Sequence, residues 1–228
     1  MELKGRLKLI ADKIPQCKII ADIGTDHAYI PIYAVQNGLC KKALATDIRK
    51  GPVEIAQKNI GQYGLQEYIE ARLGNGIEPV TENEIDVIVI AGMGGTLMEE
   101  ILFNGFQKAR KAKLLILQPM NAVEVVRKWL YESGFEISNE ALAQEGSKIY
   151  NVICSNWSGH CRQYDEYYYY VGIMLLNESD PLLKNYLQKK LKLLEIKIDG
   201  IEKTKNKPDD IQKIIGIKDR LSKELKNL

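Results

Sequence analysis

The sequence predicts an α/β protein: a Rossmann-like, doubly wound parallel sheet that carries a C-terminal helical hairpin with a coiled-coil-like spacing. Three observations support this. Apolar runs alternate with helix-period segments through the first two thirds of the 228 residues. The first apolar run ends in a tight turn of the form acid-x-Gly-x-Asp, Asp22-Ile23-Gly24-Thr25-Asp26. The last third abandons the alternation for apolar residues stepping by four and three.

The elements follow in order. A helix over Leu3–Ile14 precedes a strand at 18–23, and Ala28–Asn37 is the first crossover helix. A strand at 43–48 leads into a helix at Gly51–Tyr63 and a strand at 68–73. Residues 85–91 are almost wholly apolar, as expected for a central strand covered on both faces. Thr96–Asn104 is helical, 113–118 a strand and Asn121–Ser133 a helix. Gly134 and Gly146 punctuate two further strands near Phe135–Ala143 and Lys148–Ser155, which read as a hairpin closing the sheet. Beyond a run of five tyrosines between Tyr164 and Tyr170, one seam passes through Leu187, Leu191, Leu194, Ile198 and Ile201. Thr204–Asp210 interrupts it, with Pro208, Asp209 and Asp210 suited to a helix start. A second seam runs through Ile211, Ile214, Leu221, Leu225 and Leu228. The expected domains are 1–161 and 162–228.

The turn after the first strand points to a nucleoside ligand. Asp47 lies 23 residues beyond Gly24, at the end of the second strand, where a carboxylate can accept hydrogen bonds from both hydroxyls of a ribose. A dinucleotide turn would need Gly-x-Gly-x-x-Gly, so that backbone can approach a pyrophosphate. Here Asp22 fills the first glycine slot and His27 the third position after Gly24. Carboxylates at Asp22 and Asp26 repel a pyrophosphate and suit a ligand bearing an ammonium and a sulfonium, which is S-adenosylmethionine. A nicotinamide dinucleotide and a ligand-free turn are the alternatives. Gly74-Asn75-Gly76 follows the third strand, where Asn75 would edge the cofactor's adenine, although a plain turn explains a lone Gly-x-Gly equally well. Ala91-Gly92-Met93-Gly94-Gly95 follows the fourth, and three glycines in four residues leave backbone bare at a ligand-binding strand end.

No Asn-Pro-Pro-Tyr follows the fourth strand, which argues against methylation of an exocyclic amino nitrogen by that route. A ring nitrogen with an exposed lone pair needs only orientation and desolvation. Tyr29, just past the first turn, can stack on an extruded base or pack on the core. His27 either faces backbone or meets the cofactor carboxylate. The tyrosine run is either an RNA stacking platform or packing.

Composition limits the classes. No apolar run reaches the roughly 18 residues that a membrane helix needs, and the N-terminus lacks an apolar signal core, so no membrane partner and a cytoplasmic location are expected. Cys17, Cys40, Cys154 and Cys161 form no Cys-x-x-Cys pair and only two histidines are present, so no metal site and buried or partly buried free thiols are expected. Residues 184–228 carry 13 Lys/Arg against 7 Asp/Glu, whereas residues 1–161 carry 18 against 19. A basic tail beside a neutral body fits a polyanion partner, or simply a solvated helix surface.

Taken together, Ala-Asp-Ile-Gly-Thr-Asp-His-Ala-Tyr-Ile-Pro, Ala-Thr-Asp-Ile with Gly51-Pro52, Leu-Gly-Asn-Gly, Ala-Gly-Met-Gly-Gly and Leu-Gln-Pro-Met resemble the bacterial tRNA (adenine-22 N1)-methyltransferase family over about residues 3–160. One departure is Asn75, where that pattern leads one to expect Asp. The resemblance implies a class I S-adenosylmethionine-dependent fold, a tRNA substrate and methylation at adenine N1. Asp22, Gly24, Asp26, His27, Asp47, Ile48, Gly74, Asn75, Gly76, Ala91, Gly92, Met93 and Gly94 are then the cofactor-binding candidates. Tyr29 and Asp22 are the catalytic candidates. Gln118, Pro119, Met120 and Asn121 become a substrate-edge loop, and Lys189, Lys190 and Lys197 of the Lys-rich hairpin become RNA contacts. A monomer or weak dimer is expected. Two other readings stay open here: a small-molecule or protein methyltransferase whose hairpin is structural, and a non-catalytic RNA-binding module.

Overall fold

A computed structural model describes residues 1–82, 85–178, 180–203 and 211–227. The expected break at Thr204–Asp210, the helix start at Pro208 and the seam's last residue, Leu228, lie outside them. The chain forms two compact units, Met1–Gln163 and Tyr164–Leu228.

The first unit is built on a seven-stranded sheet in the order β3-β2-β1-β4-β5-β7-β6. Its strands are β1 (Cys17–Ile23), β2 (Cys40–Asp47), β3 (Ile69–Leu73), β4 (Val87–Met93), β5 (Leu114–Pro119), β6 (Phe135–Glu145) and β7 (Lys148–Trp157). The first five run parallel, and β7 and β6 form the expected antiparallel hairpin at the edge. The helices are α1 (Gly5–Asp12), α2 (Tyr29–Gln36), α3 (Lys50–Gln62), α4 (Gly95–Asn104), the short α5 (Phe106–Ala109) and α6 (Val123–Glu132). The strand period of two divides the core. Ile20, Ala43, Ala45, Val87, Val89 and Ile116 pack with Ile10, Ile32, Ala56 and Ile60 from α1, α2 and α3. Ile88, Ile90, Leu115 and Leu117 alternate with them and are equally buried, as are Met98 and Leu102 of α4 and Val126 and Leu130 of α6. Chain order reverses between β1 and β4, so a crevice opens at the carboxyl ends of those strands.

Several boundaries shift for local reasons. β4 begins at Val87 because Asp86 turns its carboxylate to the neighbouring backbone, accepting from Lys18 N (2.8 Å) and Ile19 N (3.3 Å) and pairing with Lys113. β4 then continues to Met93, so Ala91, Gly92 and Met93 are strand residues with a register irregularity opposite β5, not a loop after the strand. α2 starts at Tyr29, since Ala28 adopts a left-handed conformation (φ 56°). α6 starts at Val123 because Ala122 does the same (φ 45°). Behind α6, Arg127 and Glu140 form an ion pair that solvent does not reach, joined at 2.8 Å. Of the cysteines, Cys17 is half-buried and Cys40 and Cys154 are buried, but Cys161 is exposed, contrary to expectation.

The second unit is helical: α7 (Glu166–Val171), α8 (Ile173–Asn177), α9 (Leu183–Glu202) and α10 (Ile211–Asn227). Leu187, Leu194 and Ile198 of the first seam are buried, while Leu191 and Ile201 are only half-buried. In α10, Ile211, Ile214 and Leu221 are buried together with Ile217, and Leu225 is half-buried. Within the tyrosine run, Tyr167 and Tyr169 are buried, and the Tyr169 hydroxyl accepts from Tyr164 N at 2.8 Å.

Candidate functional site

The site grows from the end of β1. Gly24 takes a positive φ of 75°, which only glycine adopts without strain. Its N–H and that of Thr25 both donate to Thr46 O on β2, at 2.7 and 2.8 Å, so the turn is clamped to the neighbouring strand. Thr25 is buried. Its Oγ1 accepts from Ala28 N at 3.1 Å, and its hydroxyl donates to the Asp22 carboxylate. Asp22 is itself buried, and burial pushes its carboxyl up to about 6, which the Thr25 bond only partly offsets. Asp26 lies on the solvent side and meets His27 Nε2 at 3.2 Å. The His27 ring stacks on Tyr29 with centroids 5.0 Å apart and planes 14° apart, while its carbonyl accepts from Asn59 Nδ2 at 3.0 Å. Tyr29 remains 40% exposed, so much of it is open to solvent.

The second strand end carries Asp47, which is buried. Its Oδ1 accepts from Arg49 N at 2.7 Å and lies 3.4 Å from Arg49 Nε. Gly74 N donates to Asp47 O at 3.0 Å and draws the 74–76 turn against β2. Within that turn Asn75 is exposed and Gly74 packs on Pro79. Ile48, just past the strand, is 62% exposed.

β4 and β5 complete the crevice. A Cβ built on Gly24 would fall 1.8 Å from Met93 Cε, so the methionine methyl rests on the glycine turn. Gly92 (φ 77°) faces open space. Gly95 N donates to Asn121 O (3.1 Å) and lies 3.3 Å from Asn121 Oδ1. A side chain at Gly95 would strike Ala122 O at 2.2 Å, so that glycine is required by close approach of backbone. A Cβ on Gly94 would lie 3.1 Å from Asn121 Oδ1. Met120 N donates to Met93 O at 2.7 Å. Gln118 sits opposite Ala91, entirely buried; its Nε2 donates to Pro119 O at 3.0 Å, and Oε1 has no partner among the described residues.

The fold therefore gathers Asp22, Gly24, Met93 and the end of β5 at adjoining strand ends, with Asp47, Ile48 and the Gly74–Gly76 turn beside them. The expected 118–121 loop is half strand, since Gln118 and Pro119 are buried in β5 and only Met120 and Asn121 are exposed. Lys189, Lys190 and Lys197 belong to the other unit. Lys189 and Lys197 are exposed, but Lys190 is half-buried, its ammonium 5.9 and 5.8 Å from the ring centroids of Tyr170 and Tyr186. Sequence reasoning missed Arg49 and Asn59, and it met Thr25 and Gly95 only as parts of their turns. A Thr four residues before the helix start is a recognisable turn signal, whereas the reach of Asn59 across 32 residues leaves no local trace.

The buried carboxylates fit a cation and resist a phosphate. Among the described residues no group of His, Cys, Asp and Glu is placed to hold a metal ion. The site is suited in chemistry to S-adenosylmethionine: carboxylates at Asp22 and Asp47 can accept from an ammonium and from ribose hydroxyls, and backbone at Gly24 and Gly92 is bare for close approach.

Comparison with known proteins agrees. Residues 3–153 match the family model described as a methyltransferase domain. A tRNA (adenine(22)-N(1))-methyltransferase of Bacillus subtilis is 38% identical over 165 residues, covering 72% of this chain and 69% of the relative. The crystal structure of the B. subtilis m1A22 tRNA methyltransferase TrmK superposes with a TM-score of 0.84 at 32% identity, covering 98% of each chain. TrmK of M. capricolum, solved with the cofactor product S-adenosylhomocysteine, gives 0.81 at 30% identity and covers 99% of each chain.

Proposed function

The chain belongs to the bacterial tRNA (adenine-22 N1)-methyltransferase family, as a class I S-adenosylmethionine-dependent enzyme, and from that premise we propose how its residues carry out the reaction. It methylates N1 of adenine 22 in tRNA. The observation that carries the assignment of roles is the pair of buried carboxylates, Asp22 and Asp47, at adjacent strand ends around a glycine turn.

When bound, S-adenosylmethionine would supply a sulfonium methyl to adenine N1, one N–C bond replacing one C–S bond and the thioether S-adenosylhomocysteine leaving. Adenine N1 carries no proton, so the reaction needs no general base there; the positive charge moves from sulfur to the base. The protein's work is orientation and exclusion of water. Asp22 holds the ammonium end and Asp47 the ribose. Gly74, Asn75 and Gly76 edge the cofactor's adenine, and Gly24, Ala91, Gly92, Met93 and Gly94 supply the close backbone, with Asp26, His27 and Ile48 at the rim. Tyr29, backed by His27, stacks on the extruded substrate base. Met120 and Asn121, just past β5, bound the substrate side, with Gln118 and Pro119 beneath them. Residues 1–161 act as the methyltransferase domain and 162–228 as a tRNA-binding extension, where Lys189, Lys190 and Lys197 meet phosphates. The protein works as a cytoplasmic monomer or weak dimer, without metal or membrane; no helix among the described residues is long and apolar enough to cross a membrane.

The test is incubation with unmodified tRNA and cofactor, followed by nucleoside mass spectrometry. The expected product is 1-methyladenosine, absent when adenine 22 is replaced by guanine. Methylation that survives that replacement refutes the assigned target.

A further inference from the structure

We propose that the C-terminal unit contains a cleft that takes one unpaired purine nucleotide of the RNA. This deepens the tRNA reading and rests on it. The cleft measures about 570 Å³ and lies between the start of α7 and the middle of α10. Its most ordered feature is the Arg220 guanidinium, which lies 4.0 Å from the Tyr167 ring centroid and 4.8 Å from that of Tyr168. One nitrogen donates to the Tyr168 hydroxyl at 2.9 Å, and another lies 3.4 Å from Asp165 Oδ1. Tyr167 is in turn buried, and its N–H donates to the same Asp165 oxygen at 2.9 Å. An arginine fixed at several points keeps its plane without further loss of freedom on binding.

Such a plane, still partly exposed, is a surface on which a nucleobase stacks. The rest of the lining matches a nucleotide. Asp165 and Glu166 offer carboxylate acceptors to the N–H groups of a purine's pairing edge, which is free only when the base is unpaired. Lys213 offers a cation to its phosphate. Equal numbers of acids and bases fit a ligand with both a donor edge and an anion better than a bare phosphate.

Gly216 gives a second, independent indication. Glycine within a helix weakens it, so its presence there serves something other than helix stability. Here a Cβ built on Gly216 meets nothing within 4 Å. No packing asks for glycine at this position; the missing side chain leaves the cleft open.

The test uses the full chain with Gly216→Leu, which fills the cleft with a strong helix former, and Arg220→Lys, which keeps the charge but loses the plane. Unmodified tRNA transcript is the probe, with S-adenosylmethionine affinity and thermal unfolding as controls. Both variants should lose about fivefold or more in tRNA affinity, seen in KM rather than kcat, at unchanged cofactor affinity. A folded Gly216→Leu protein with wild-type tRNA affinity overturns the cleft and leaves the tRNA reading intact. Arg220→Lys at wild-type affinity overturns stacking. Wild-type protein that leaves tRNA unmethylated overturns the underlying reading, and the proposal with it.

Discussion

Asp22→Asn should make the ligand-free protein more stable while abolishing tight cofactor binding. Burial raises the folded-state carboxyl from 3.8 to about 6. The native state therefore binds the proton more tightly than the unfolded chain does. Stability from this group is fully present below about pH 4 and is lost as the pH rises towards 6. A shift of this size is worth about 3 kcal/mol at pH 7, roughly half that at pH 5 and under about 1 kcal/mol at pH 4. Asparagine never ionises and still accepts from the Thr25 hydroxyl, so it removes the penalty. At about 2–4 °C per kcal/mol for a chain of this size, the ligand-free variant should melt roughly 6–12 °C higher at pH 7 and almost level with wild type at pH 4. Tryptophan fluorescence is the assay, because Trp129 and Trp157 both lie in the unit that holds Asp22. Calorimetry should show the opposite effect on function: binding of S-adenosylmethionine lost in the variant, and weakening about tenfold per unit below pH 6 in wild type. A gain in stability that does not vary with pH, or none at pH 7, would refute the reasoning.

Four other outcomes are expected. Asp47→Ala should weaken cofactor binding by about 1.5–3 kcal/mol through lost ribose hydrogen bonds; unchanged calorimetric affinity removes Asp47 from the site. Tyr29→Phe should keep most activity and Tyr29→Ala lose about 1–3 kcal/mol of transition-state stabilisation, whereas equal losses would assign the role to the hydroxyl. Glu140→Ala strands Arg127 in the interior and should cost about 3–5 kcal/mol of stability by denaturant unfolding, so a change below 1 kcal/mol would contradict the buried pair. Lys189→Gln with Lys197→Gln should flatten the salt dependence of tRNA binding by up to about two counterions, and an unchanged slope would move the phosphate contacts elsewhere.

The sequence by itself determined the order of the elements, the parallel core and the acids and glycines that end its strands. Each depends on local pattern: apolar runs of strand length, the Asp22-to-Asp26 turn and an acid at Asp47. A turn that needs glycine at φ 75° and carboxylates that repel phosphate are legible without a neighbour. It also carried the family, to which the B. subtilis relative, 38% identical over 165 residues, belongs. It did not reveal that β4 runs past Gly92 to Met93, because only the pairing of Ala91 and Met93 with β5, on either side of an irregularity, carries the strand across that glycine. Nor did it show the Met93 methyl on Gly24, the Asn59 grip on the His27 carbonyl, the buried Arg127–Glu140 pair or Arg220 over the Tyr167 ring. These contacts join residues from 13 to 69 positions apart, and their energies come from burial and angle rather than spacing. The upward shift of Asp22 has the same origin. An aspartate's place in the chain names its charge, but only the surrounding fold decides how much water it keeps.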